Sequence, residues 1–291
     1  MIGDVNKLTI FLYMQNEKPT SRVLYFDILN VLACISVVIL HSNKYIHTFQ
    51  KDEWWWLRVL IEVLFYSAVP IFFMLSGATL FPYRQRYSTR TFYRKRFLRT
   101  FVPFVFWSVL FYCIYVLNTG LDAISFKDIV QHVIEGKIPY TNYCFFIPLF
   151  LLYLFIPFLS IMVLRLSTKG AFSLCLILIV FQFVIPTVCA LCGLVYDKSL
   201  PIGGYVIYAL LGYYMSIYQI EKERKFMIVL FVLSIFSMGI RYSLIMGSEV
   251  KETILFSYFG LYALFPAMFF SYWQRDVVTV MGIPNYSFPI W

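Results

Sequence analysis

Eight apolar stretches, at about 24–43, 57–80, 100–117, 144–164, 171–192, 203–219, 226–246 and 253–272, leave this chain few folds to choose from. A helix that crosses a bilayer needs about 20 mainly apolar residues. In hydrocarbon the backbone must satisfy its own hydrogen bonds, so runs of this length imply helices. Composition agrees: 61% of the 291 residues are hydrophobic and 13% charged, against about a quarter charged in a soluble domain. The expected fold class is all-α, a polytopic integral membrane protein of about eight transmembrane helices. The first stretch is no cleavable signal, because it is long, lacks a small-residue cleavage site and is followed by further spans.

The formal charge of +9 is placed for topology and not for nucleic acid. Between residues 81 and 99 stand Arg84, Arg86, Arg90, Arg94, Lys95, Arg96 and Arg99, with no acid among them. Taking that loop as cytoplasmic puts the 165–170 and 219–225 loops inside too, with five more cations. The opposite loops hold acids such as Asp52, Glu53, Asp128 and Glu249. The positive-inside rule is then met at every turn, and the N-terminus is expected inside. Residues 1–21 read as a cytoplasmic tail and 22–291 as one membrane domain. The multi-pass location expected is a bacterial cytoplasmic (inner) membrane.

Polar residues inside apolar spans are where function is expected. The first span carries Asp27, Asn30 and His41. The eleven-residue step from Asn30 to His41 is close to three turns at about 100° per residue, so the two share a face. They stand roughly 16 Å apart along the axis at 1.5 Å per residue. Such a stripe is expected to face a protein interior or a wet cavity. Glu62 in the second span has two readings, a functional carboxylate or an interfacial acid paired with Arg58 one turn away. Arg241 in the seventh span either snorkels outward or pairs with an internal acid.

Other features have plainer readings. Trp54, Trp55 and Trp56 suit an interfacial aromatic belt. His132 reads as a solvated loop residue. Pro148 and Pro157 point to a bent fourth span. Cys189 and Cys192 form a CxxC without a partner pair or nearby His, so packing is the reading and no metal site is expected. In the second span Pro70 frees a carbonyl, and Ser76-Gly77 lets another backbone come close. Arg96 and Arg99, three apart, are expected on one helical face, where guanidinium forks suit phosphate oxygens.

Four segments in order resemble the membrane-bound acyltransferase 3 family, whose members include O-acetyltransferases of bacterial surface glycans. FDILNVLACISVVILH (Phe26–His41) is similar to the family's Asp-x-x-Arg, ten residues, then His, with Asn30 where the arginine stands. VPIFFMLSG (Val69–Gly77), YRKRFLRTFVPFVFW (Tyr93–Trp107) and CFFIPLFLLYLFIPFL (Cys144–Leu159) follow. The closing MGIPNYSFPIW resembles the opening of a further family helix, so the domain is expected to be short of its last one or two helices.

The resemblance implies transfer of an acyl group, with acetyl the one expected, from cytoplasmic acyl-CoA to a hydroxyl of a surface or lipid-linked saccharide. It implies His41 as general base or acyl carrier, with Asp27 and Asn30 as further catalytic candidates; Glu62 joins them on its own account, as an intramembrane carboxylate. An imidazole with an ordinary pKa of about 6.5 suits either role. The donor is acetyl-CoA or a related acyl-CoA, for which Arg94, Lys95, Arg96, Arg99, Ser76 and Tyr153 are the binding candidates. Asn30 still hydrogen-bonds but supplies no charge. Two other readings stay open from the residues alone: a transporter or flippase for a glycan intermediate, or an inactive scaffold.

Overall fold

The structure is a computed structural model that describes residues 24–43, 53–119, 126–135, 143–192, 194, 204–217, 224–247, 263–271 and 273. The described elements are all helical. Helix α1 spans Leu24–Ser42, α2 Trp55–Phe65, α3 Ala68–Leu80, α4 Thr89–Arg96 and α5 Val102–Thr119. Then come α6 Phe126–Glu135, α7 Phe146–Arg165, α8 Thr168–Ile179 and α9 Ile185–Leu191. Finally α10 is Tyr205–Ile217, α11 Arg224–Gly247 and α12 residues 263–271. Among the described residues four helical runs are long and apolar enough to cross a membrane: Leu24–Ser42, Trp55–Gln85, Thr89–Asn118 and Phe146–Arg165. Lys169–Val184, Tyr205–Ile217 and Ile228–Ser243 are shorter apolar helices.

Helix α3 is the centre. It buries residues all round, among them Ile71, Phe73, Met74, Gly77 and Leu80. Its main partner is α10, and α1 packs beside it. Two glycines make the α3–α10 crossing close. A side chain at Gly77 would run into the Ala209 backbone, and one at Gly212 into the Met74 backbone. Small residues are what let membrane helices approach this tightly. The expected close approach at Ser76-Gly77 is therefore found, and its partner is α10.

Prolines set the irregularities. Pro70 has no N–H for the Tyr66 carbonyl one turn back, and the run Trp55–Gln85 is interrupted at Tyr66–Ser67. Two π turns, Phe97–Phe101 and Val180–Val184, end two residues before Pro103 and Pro186. In each, the closing N–H reaches five residues back, Val102 to Phe97 and Ile185 to Val180. Widening the turn relieves the ring's pressure on the preceding carbonyl. Of the fourth span's two prolines, Pro148 falls in the first turn of α7, where a missing N–H goes unnoticed; only Pro157 is interior.

Around this frame, α7 holds the segment Phe81–Gln85. Ser160 donates its hydroxyl to the Phe81 carbonyl at 2.7 Å, and Arg84 donates to the Pro157 carbonyl at 3.3 Å. Amphipathic α6 lies on α5, with Ile129 and Val133 against Tyr112 and Val116. Its His132 is not merely solvated: the ring sits 5.2 Å from that of Tyr112, with Nδ1 2.7 Å from the Asp128 carbonyl. Trp54 and Trp56 point outward as a belt would, whereas Trp55 is buried with Val59, Val63 and Ile245.

Candidate functional site

The polar residues gather at two ends of the bundle. At the basic end, α4 starts cleanly because Ser88 caps it, accepting from the Thr91 N–H. Tyr83 and Thr89 share a hydroxyl hydrogen bond at 2.8 Å, and Tyr93 donates to the Leu154 carbonyl of α7 at 3.1 Å. These contacts fix α4 between Phe81–Gln85 and α7.

On that platform the arginines part company. Residues three apart share a face of a regular helix, but the π turn over Phe97–Phe101 intervenes and alters the register. Arg96 is half-buried, its guanidinium 5.6 Å from the Tyr153 ring centroid and 5.8 Å from that of Phe92. Arg99 is exposed, as is Arg94. The single basic face expected for Arg96 and Arg99 is thus split into an inner and an outer cation. Lys95 lies over the Tyr87 ring at 4.3 Å. The Arg96 Nε is buried with no hydrogen-bond acceptor. An unmet buried donor costs about 1–3 kcal/mol, so an anionic oxygen placed there would be bound favourably.

Tyr153 thus stands beside Arg96. Ser76 does not. It is half-buried on α3, and its described contact is the Thr79 hydroxyl donating to its carbonyl at 3.5 Å. Beside the same end, Tyr25, Phe26 and Leu29 of α1 face Ala78, Met215 and Ser216 across a small cleft.

Helix α1 corrects one expectation. Asn30 and His41 are exposed and Asp27 half-buried, so the stripe does not turn into the described core. Leu29 and Ala33, at i and i+4, take that place. They are the residues whose shape fits against α3, and Asn30 stands about 100° round the helix from Leu29. The angular spacing of the stripe holds; its orientation does not. Asp27 and His41 lie about 21 Å apart along the axis at 1.5 Å per residue, too far to share a proton.

The end opposite the basic one holds His41. There Asn43, just beyond α1, donates its side-chain amide to the Arg58 carbonyl of α2 at 2.8 Å. That bond ties the His41 end of α1 to α2. One turn further along α2 is Glu62, and it pairs with neither solvent nor Arg58. It meets Arg241 of α11, Nη2 to Oε1 at 3.5 Å, with both side chains buried. The Arg241 guanidinium lies 3.3 Å from the centroid of the Tyr66 ring. Its Nε and Nη2 have no hydrogen-bond acceptor.

Several of these partners carry faint or no sequence signal. Tyr66 is four residues from Glu62 and so on its face, which the helical period could have shown. Asn43 and Tyr93 carry no such mark. The pairing of Glu62 with Arg241, far apart in the chain, is a product of the fold.

Comparison with known proteins gives one match. The acyltransferase domain model of the acyltransferase 3 family matches residues 23–291. No curated protein and no solved structure among those compared matches the chain.

Proposed function

The chain belongs to the acyltransferase 3 family, and on that premise we propose that it carries an acetyl group from cytoplasmic acetyl-CoA to a hydroxyl of an extracytoplasmic saccharide in a bacterial inner membrane. Acyltransferase activity is what the family as a whole implies; donor, acyl group and acceptor are our reading. The observation that carries it is the division of polar groups between the two ends of the bundle. Cations and an open guanidinium donor stand at one end, and an imidazole at the other, on the same helix as Asp27.

Acyl-CoA would supply the activated thioester carbonyl and phosphates in need of cations. Arg96, with its unmet Nε beside Tyr153, is the inner phosphate contact; Arg94, Lys95 and Arg99 are the outer ones. His41 takes the proton of the acceptor hydroxyl as that oxygen forms its bond to the acyl carbon and the carbon–sulfur bond breaks. The departing thiolate takes up a proton, so charge balances. Asn43 holds the helix end that presents the imidazole.

Radiolabelled acetyl-CoA supplied to the cytoplasmic face of membranes carrying this chain tests the reading. Label is expected in an extracytoplasmic glycan with the native chain and none with His41→Ala. Equal labelling by the two would remove His41 from the chemistry. No labelling by folded native protein would overturn the enzyme reading. The inactive-scaffold reading, which Asn30 favours, would stand if Asn30→Arg also failed to transfer. Buried Glu62 and Arg241 favour a transporter as the second reading, and saccharide flux in proteoliposomes without acyl-CoA would show it.

A further inference from the structure

The Glu62–Arg241 pair is a buried ion pair outside the donor end, and the proposed chemistry leaves it without a task. Arg241 is 4% exposed and Glu62 7%. Buried charges in a membrane protein are expected to be fully hydrogen-bonded, because the surroundings offer no substitute for water. This pair is not. Its ions stand 3.5 Å apart, and both Nε and Nη2 of Arg241 lack an acceptor. The Tyr66 ring lies beneath the guanidinium.

The surroundings fit a site more than a strut. The pair lies one turn from Arg58, whose carbonyl holds Asn43, so it sits at the same end of the bundle as His41. The interruption at Tyr66–Ser67 is one turn from Glu62, and interrupted membrane helices beside polar side chains are where ligands bind. That interruption also separates α2, which carries Glu62, from α3, which the two glycines lock to α10. Trp55, Val59, Val63 and Ile245 pack across the α2–α11 seam, so a ligand reaches the pair only where that seam parts. In this structure the seam is closed.

Charge decides the ligand class. Guanidinium and carboxylate together are neutral, so an anion would leave an unpaired negative charge in a low-dielectric site. A hydroxyl group both donates and accepts. Neighbouring hydroxyls of a sugar can donate to the Glu62 carboxylate and accept from the two open donors of Arg241. Resting on the acyltransferase reading above, we propose that Glu62 and Arg241, held over Tyr66, form an acceptor subsite for the hydroxyls of an uncharged sugar unit.

Binding can be read without any acyl donor, which separates this proposal from the reaction it serves. The full chain in lipid nanodiscs would be titrated with octyl glucoside, uncharged, and with octyl glucuronide, its carboxylate counterpart, below their micellar concentrations. Calorimetry is expected to show the glucoside binding at least tenfold tighter at neutral pH. Arg241→Lys keeps the charge pair but loses the planar fork, so glucoside affinity should fall at least tenfold while thermal unfolding stays near native. Glu62→Gln, closest in shape, should also weaken it. A preference for the glucuronide, or undiminished glucoside binding by a folded Arg241→Lys protein, would overturn the proposal and leave the pair a structural tie. No binding of either probe to native protein would do the same. The comparison of the two probes on native protein stands even where a variant fails to fold. Sugar binding by a chain that transfers no acetyl group would retain the subsite and sink the enzyme reading instead.

Discussion

Replacing Gly77 by alanine tests the central crossing directly. A methyl group there would overlap the Ala209 carbonyl, and both groups belong to helical backbone that cannot turn aside as a side chain would. The helices must move apart, stripping contacts along the crossing. Overpacking a tight core typically costs about 1–3 kcal/mol, and a backbone-to-backbone clash belongs at the upper end. Against this, alanine is favoured over glycine in a helix by about 1 kcal/mol. The net expected loss is about 2 kcal/mol, close to a thirtyfold shift in the folding equilibrium at 1.4 kcal/mol per tenfold. Gly239 is the internal control, exposed on α11 with nothing within 4 Å of an added Cβ. Gly239→Ala should leave stability unchanged or raise it by up to about 1 kcal/mol. Reversible unfolding in mixed micelles, followed by helical circular dichroism, would measure both. Equal stability of the Gly77 and Gly239 variants would refute the packing argument and return the VPIFFMLSG motif to chemistry.

Three further outcomes follow from the geometry. Arg96→Ala should raise the KM for acetyl-CoA by about tenfold or more, since charged hydrogen bonds contribute about 1.5–3 kcal/mol, while exposed Arg99→Ala changes it by less; steady-state kinetics in membranes would decide, and reversed effects would refute the inner-cation assignment. Asn43→Ala removes the bond to the Arg58 carbonyl and should lower kcat several-fold with donor KM unchanged; a loss confined to KM would mean the bond does not position His41. Ser160→Ala strands the buried Phe81 carbonyl and should cost about 1–3 kcal/mol in the same unfolding assay, whereas Ser160→Thr, keeping the hydroxyl, should recover part of it.

Much of the architecture was legible in the sequence. The expected spans 24–43 and 144–164 answer to Leu24–Ser42 and Phe146–Arg165, because hydropathy over about 20 residues reads burial in lipid directly. Local angular relations were legible too, including the shared face of Asn30 and His41. Which neighbour meets that face was not, since it depends on Leu29 and Ala33 fitting α3 better than the polar stripe does. The register of Arg96 and Arg99 was misread because the π turn before Pro103 lies between them. A valine or isoleucine followed by proline stands just after both π turns, but Val69-Pro70 and Ile156-Pro157 form the same pair without one, so the dipeptide alone is no cue. The choice of Arg241 over Arg58 as partner for Glu62 was out of reach. It is made by α2 and α11 packing through Trp55, Val59, Val63 and Ile245.

The glycine-lined crossing also has a consequence for how the protein is made. Gly77 is synthesised well before Ala209, the residue it must meet. At about 5–20 residues per second, the intervening 132 positions (209 − 77) take the ribosome roughly 7–26 s. Throughout that interval the narrow face of α3 has no α10 to close upon it. Assembly of the centre is therefore a late event, and the nascent helix waits in the bilayer, or beside the insertion machinery, as an open seam that another chain could fill first.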